Sequence, residues 1–111
     1  GLFAIWAAFH CGTFQEVAAI SGSLWYDGFA QWTLERALDK GVRRVYISLG
    51  DREKKSRDAR MSTVEDCTET IVRELGRQVA VRYVLEEDVT HFSPIVPRLE
   101  RLFLYLQEQP E

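Results

Sequence analysis

The order in which helical and strand-like segments alternate constrains this chain more than any single motif does. Residues 2 to 9 are apolar at almost every position and imply a buried helix through Leu2, Phe3, Ile5, Trp6 and Phe9. "EVAAIS" (16 to 21) is a short apolar strand. A helix is expected from a cap at Asp27 to about Lys40, with Phe29, Thr33, Leu34, Ala37 and Leu38 at helical spacing and Gly41 at its end. "VRRVYISLG" (42 to 50) is the clearest strand, β-branched and aromatic in its centre. Ser62 and Glu65 carry the spacing of a capping box, followed by a helical face of Val64, Cys67, Ile71, Val72 and Leu75 to about Arg77. "VAVRYVLEE" (79 to 87) is a third strand. A last helix starts near Pro97 and turns Leu99, Leu102, Phe103 and Leu106 inward.

This order is α-β-α-β-α-β-α with no hairpin turn signal. Strands separated by helices must join through crossovers, so the expected fold is α/β: a three-stranded parallel sheet with helices on both faces. So few strands leave at least one unpaired edge. At 111 residues the chain is read as a single domain, 1–111.

Composition removes several function classes. The formal charge is -3 and the basic residues are interspersed with acidic ones, so the basic footprint of nucleic-acid binding is missing and no nucleic-acid partner is expected. The mixed-sign run "DREKKSRDAR" reads as a solvated loop. Cys11 and Cys67 stand far apart without zinc-ligand spacing and fit two buried free thiols. The N-terminal apolar run has no basic flank or small-x-small cleavage site and is too short to span a bilayer. No membrane association is expected; the compartment stays undetermined, with the cytoplasm favoured. His10 fits a helix end, where its charge would suit the helix dipole.

In open α/β sheets, ligands gather beyond the carboxyl ends of the strands. Three loops meet that description. "SGSLWYDG" holds Ser21 and Ser23, "GDREKKSRDARMS" holds Asp51 and Glu53, and "DVTHFSP" holds His91. Serine, carboxylate and histidine in that chain order, at one sheet edge, are the components of nucleophilic acyl transfer, although each is also an ordinary loop residue.

Segment detail sharpens this. "GLFAIWAAF", "VAAISGSLWYD", "VYISLGDREKK" and "VTHFSPIVPRLERLFLYL" resemble, in order and spacing, the C-terminal half of the enterochelin-esterase-like branch of the α/β-hydrolases, serine esterases that include feruloyl esterases. The resemblance implies a partial α/β-hydrolase fold. In that family a nucleophile elbow, Gly-x-Ser-x-Gly-Gly, leads into a helix beginning like Gly1 to Ala4. It places the acid three residues after a strand-ending glycine, which lands on Glu53 counted from Gly50, with Asp51 as competitor. It places the base in a Gly-x-His-Phe turn, matched by His91 and Phe92 with Val89 in place of the glycine. Ser23, Trp25 and Tyr26 correspond to a Ser-x-Ser and aromatic pair and are expected to line an acyl or aryl pocket, the two aromatics being equally compatible with plain core.

The resemblance also implies that the nucleophilic serine lies two or three residues before Gly1. Neither internal serine suits an elbow: Ser23 has Trp25 two positions on, and Ser21 has no flanking glycines at those positions and precedes a loop. The expected function is that of part of an esterase-type serine hydrolase whose parent cleaves a small-molecule carboxylic ester through an acyl-enzyme. No metal or organic cofactor is implied. Alone, the chain is expected to be inactive and to self-associate or pair with the missing N-terminal half. The alternative is a non-catalytic α/β binding or interaction module.

Overall fold

A computed structural model describes residues 1–11 and 13–108. Its elements run α1 (Leu2–Ala8), β1 (Glu16–Ile20), α2 (Phe29–Leu34), β2 (Arg44–Gly50), α3 (Val64–Leu75), β3 (Ala80–Glu86) and α4 (Val96–Gln107), with two short 3-10 turns at Glu53–Lys55 and Met61–Thr63. The three strands form one parallel sheet in the order β1-β2-β3, as the alternation requires. In register, Val17 lies opposite Val45, and Val45 opposite Val81.

The period of two along each strand sorts the core into two layers. Val17 and Ala19 of β1, Val45 and Ile47 of β2, and Val81 and Tyr83 of β3 face Ile5 and Ala8 of α1, Phe29 of α2, and Ile71 and Leu75 of α3. On the opposite face Ala18, Ile20, Tyr46 and Val84 pack against Leu102 and Tyr105 of α4. β2 is the central strand and is buried at every position. The sheet is therefore covered on both faces, by three helices on one side and α4 on the other.

Several local expectations are corrected. α1 is two-faced: Ile5 and Ala8 are buried, whereas Phe3 is 73% exposed and Trp6 40% exposed. Phe3, Trp6 and His10 lie at i, i+3 and i+7 and stack along the outer face, with ring centroids 5.8 Å and 4.3 Å apart. α2 begins after Gly28, at φ 75°, and ends at Leu34, well short of Lys40. The backbone donors and acceptors that would have extended it are engaged elsewhere. The Leu38 amide bonds Gln78 Oε1 at 2.7 Å, the Asp39 amide bonds the Ala8 carbonyl at 3.0 Å, and the Arg36 guanidinium takes the Trp32 carbonyl at 3.0 Å.

The capping box does not form, because Ser62 bonds back to the Ala59 carbonyl and Glu65 pairs with Lys54. α3 starts instead from a 3-10 turn, and its buried face contains Thr68 where Cys67 was expected. Cys11 and Cys67 are both free and both only half-buried.

In α4 the inward row is Arg98, Leu102 and Tyr105, and Phe103 is 56% exposed. Arg98 is buried because Glu86, at the end of β3, bonds its Nε at 2.7 Å; Arg98 also donates to Ser48 Oγ, and Arg101 takes the other Glu86 oxygen. At the opposite end of the sheet, buried Arg44 donates to the last carbonyls of α4, those of Tyr105, Leu106 and Glu108, and to Glu16. The Tyr105 carbonyl also accepts the Glu108 amide at 3.0 Å, and the guanidinium adds donors at this helix end, where intrahelical donors run out.

Candidate active site

The carboxyl ends of β1, β2 and β3 each deliver one loop to a common point. β2 ends at Gly50, and the 3-10 turn that follows folds Glu53 back under the strand end. Glu53 Oε2 there accepts the Gly50 amide at 2.6 Å. The Glu53 side chain is only 6% exposed although its sequence neighbours lie at the surface.

β3 ends at Glu86, and its loop doubles back so that the Val89 carbonyl accepts the Arg52 amide at 3.1 Å. Gly50 is needed for that approach. A Cβ built on it would fall inside the Val89 carbonyl group, 2.6 Å from the carbonyl carbon and 2.9 Å from Cγ1. With the loop so seated, His91 Nδ1 lies 3.1 Å from Glu53 Oε1. An ionised carboxylate only accepts, so the network puts the proton on Nδ1 and leaves the Nε2 lone pair outward. That is the orientation of a general base held by an acid.

β1 supplies the third loop. Ser21 follows it, donating its amide to the Ser48 carbonyl at 2.9 Å and adopting a left-handed backbone at φ 51°. Its hydroxyl donates to Glu53 Oε2 at 2.6 Å. Ser21 is thus bound to the Glu53 carboxylate and not to the imidazole. A nucleophile belongs on Nε2, the far side of the ring.

The other expected residues separate. Asp51 does not approach His91: its Oδ1 accepts the Asp88 amide at 3.0 Å and ties the end of β3 to the end of β2. Ser23 and Trp25 line a cavity of about 410 Å³ together with Ser21, Gly22, Glu53, His91 and Phe92. That volume lies in the range of small-molecule sites. Arg60 stacks over Trp25, its guanidinium 5.5 Å from the ring centroid. Tyr26 is outside the lining and is 59% exposed. Phe92, at 92% exposure, projects from the rim edge-on to His91.

The Ser21–Glu53 bond escaped the sequence reading because it joins residues 32 positions apart. A serine closing a strand just before Gly22 was the available hint. Among the described residues no group of three or more His, Cys, Asp and Glu side chains converges to hold a metal ion. None of the described helices is long and apolar enough to cross a membrane.

No protein-family model matches this chain, and no curated protein does. Solved structures do. The siderophore hydrolase EstA from Aspergillus nidulans superposes with a TM-score of 0.71 at 23% identity, over 95% of this chain and 44% of its own. The siderophore hydrolase EstB from the same organism gives 0.69 at 19% identity, over 99% of this chain and 48% of its own. This chain spans less than half the length of either. It has the α/β fold of these siderophore hydrolases, and at the level of the fold the resemblance expected from its motifs is met.

Proposed function

We propose that this chain carries the acid and base of a serine-type ester hydrolase, with Glu53 as acid and His91 as base. The observation that carries the reading is the bond between Glu53 Oε1 and His91 Nδ1, made across loops from two different strands at the mouth of a cavity. In this reading Nε2 accepts the proton of an attacking serine hydroxyl. Buried Glu53 stabilises the resulting imidazolium without taking its proton, and the imidazolium then protonates the departing alcohol. Water, activated by the same base, releases the acyl group. The scheme uses no metal or organic cofactor.

The serine lies upstream of Gly1. Gly1 packs on Gly22, a Cβ on Gly1 coming within 2.8 Å of the Gly22 Cα, which sets the start of α1 against the wall that Ser21 and Ser23 form. An upstream portion also has a place to bind, because β1 pairs only with β2 among the described residues and its other edge is free. Ser23 and Trp25 form part of the acyl or aryl pocket. The structural neighbours, named siderophore hydrolases, make a siderophore ester the first substrate to try.

The test compares hydrolysis of a siderophore ester and a simple aryl ester by the polypeptide that includes the upstream reading frame. Expected are turnover by the parent, a loss in kcat on the order of 10⁴-fold for Glu53→Gln and one on the order of 10⁶-fold for His91→Ala. Unchanged turnover in either variant refutes the assignment. No turnover of any ester by the longer polypeptide favours the non-catalytic module.

A further inference from the structure

We infer that Ser21 is a positioning residue for Glu53, its hydroxyl locking one carboxylate oxygen so that the other faces His91. The inference rests on reading Glu53 and His91 as the acid–base pair, and three observations carry it. Glu53 Oε2 receives two short hydrogen bonds, from the Gly50 amide and the Ser21 hydroxyl, both 2.6 Å long. Oε1 receives only His91 among the described residues. A carboxylate held by the Gly50 amide alone can still turn about its terminal torsion, which is broad and roughly two-fold. A second donor from a different strand removes that freedom.

The backbone at Ser21 is the third observation. It is left-handed at φ 51°, a conformation that strains a side-chain-bearing residue. Glycine would sit there without strain, and Gly22 stands next in the chain. Strain kept at a cavity wall where a glycine would relieve it points to a use for the side chain. The left-handed turn aims the hydroxyl across the sheet end at the carboxylate, which also explains why Ser21 lines the cavity yet is not placed as a nucleophile.

The Ser21→Gly variant separates use from strain, since it removes the hydroxyl while relaxing the backbone. The readout is solvent exchange of the His91 Nδ1 proton by nitrogen-15 NMR on the 111-residue chain, with Glu53→Gln as reference for a broken pair. A hydrogen bond to a charged group is worth roughly tenfold or more in an equilibrium. Exchange in Ser21→Gly is therefore expected to be at least about tenfold faster than in the parent, while the backbone amides of Thr90 and Phe92 keep their shifts. An unchanged Nδ1 proton overturns the inference. So does a shift of those loop amides together with the ring, which would make Ser21 a loop anchor. No turnover enters this readout, so a failure of the esterase reading appears separately, as absent hydrolysis while exchange in Ser21→Gly is still faster than in the parent.

Discussion

Gly50→Ala is the sharpest perturbation of the site that involves no charged group. The new Cβ would stand 2.6 Å from the Val89 carbonyl carbon and 2.9 Å from its Cγ1. The first neighbour is backbone and cannot swing away, so the β3 loop must retreat by about 1 Å to restore van der Waals contact. Overpacking of this kind costs about 1–3 kcal/mol, and loss of the Arg52 amide bond to Val89 adds about 1 kcal/mol. The sum, about 2–4 kcal/mol, corresponds to a fall in melting temperature on the order of 10–20 °C. His91 rides on the displaced loop, so its 3.1 Å contact with Glu53 should open as well.

Urea denaturation measures the first effect, and the His91 Nδ1 proton reports the second. Gly28→Ala is the control: Gly28 has φ 75° with open space around it, so alanine there should cost about 1 kcal/mol and leave His91 untouched. A Gly50→Ala protein within about 0.5 kcal/mol of the parent, with the His91 signal intact, would refute the claim that this glycine seats the base.

Three further outcomes follow from other parts of the molecule. Glu86→Gln leaves Arg98, with a side chain 3% exposed, without its counter-charge and should cost about 3–5 kcal/mol in denaturant unfolding, whereas Glu86→Leu with Arg98→Met should be nearly neutral; equal losses in both would contradict the ion-pair account. Burial, with smaller contributions from Glu69, Glu65 and Glu53, pushes the Tyr83 hydroxyl up to about 12 from its ordinary 10. The neutral phenol is thus favoured by folding, and its contribution is complete below pH 10 and lost as pH rises toward 12. Burial also raises Tyr46 and Tyr105, so a tyrosinate titration should lose one of its late-titrating groups in Tyr83→Phe, and a curve unchanged by that variant would reassign it. Finally, exposed Phe3, Trp6 and Phe14 and the edge of β1 that is unpaired among the described residues should make the isolated chain associate at high concentration, less so in Trp6→Glu; a monodisperse parent monomer by light scattering would count against it.

The alternation of elements was legible because it rests on runs of apolar and β-branched residues. All three strands appear within one or two residues of their expected bounds. α2 was not legible past Leu34, because its extension is cancelled by Gln78 and by the end of α1, contacts that no local pattern carries. The buried arginines escaped for a related reason. Arg98 is inward only because Glu86 waits there, and a charge at a helical core position otherwise reads as solvent-facing. Phe3 and Phe103 failed in the opposite sense: a large apolar residue on a helix need not be inside.

In the site, the spacing from Gly50 to Glu53 and the pair His91-Phe92 carried over into a three-dimensional contact, whereas Asp51, two residues from Glu53, was turned to another task. Tyr26 had no local signal separating it from Trp25, yet only Trp25 reaches the cavity.

The central claim is that this chain holds an acid and a base for a nucleophile it does not itself contain. A serine-directed phosphonate tests it most directly, applied in parallel to the 111-residue chain and to the polypeptide carrying the upstream reading frame, with the labelled residue located by mass spectrometry. The account predicts no label on this chain, one label on a serine just upstream of Gly1 in the longer polypeptide, and loss of that label in His91→Ala. Label on Ser21 or Ser23, or none on the longer polypeptide, would contradict it.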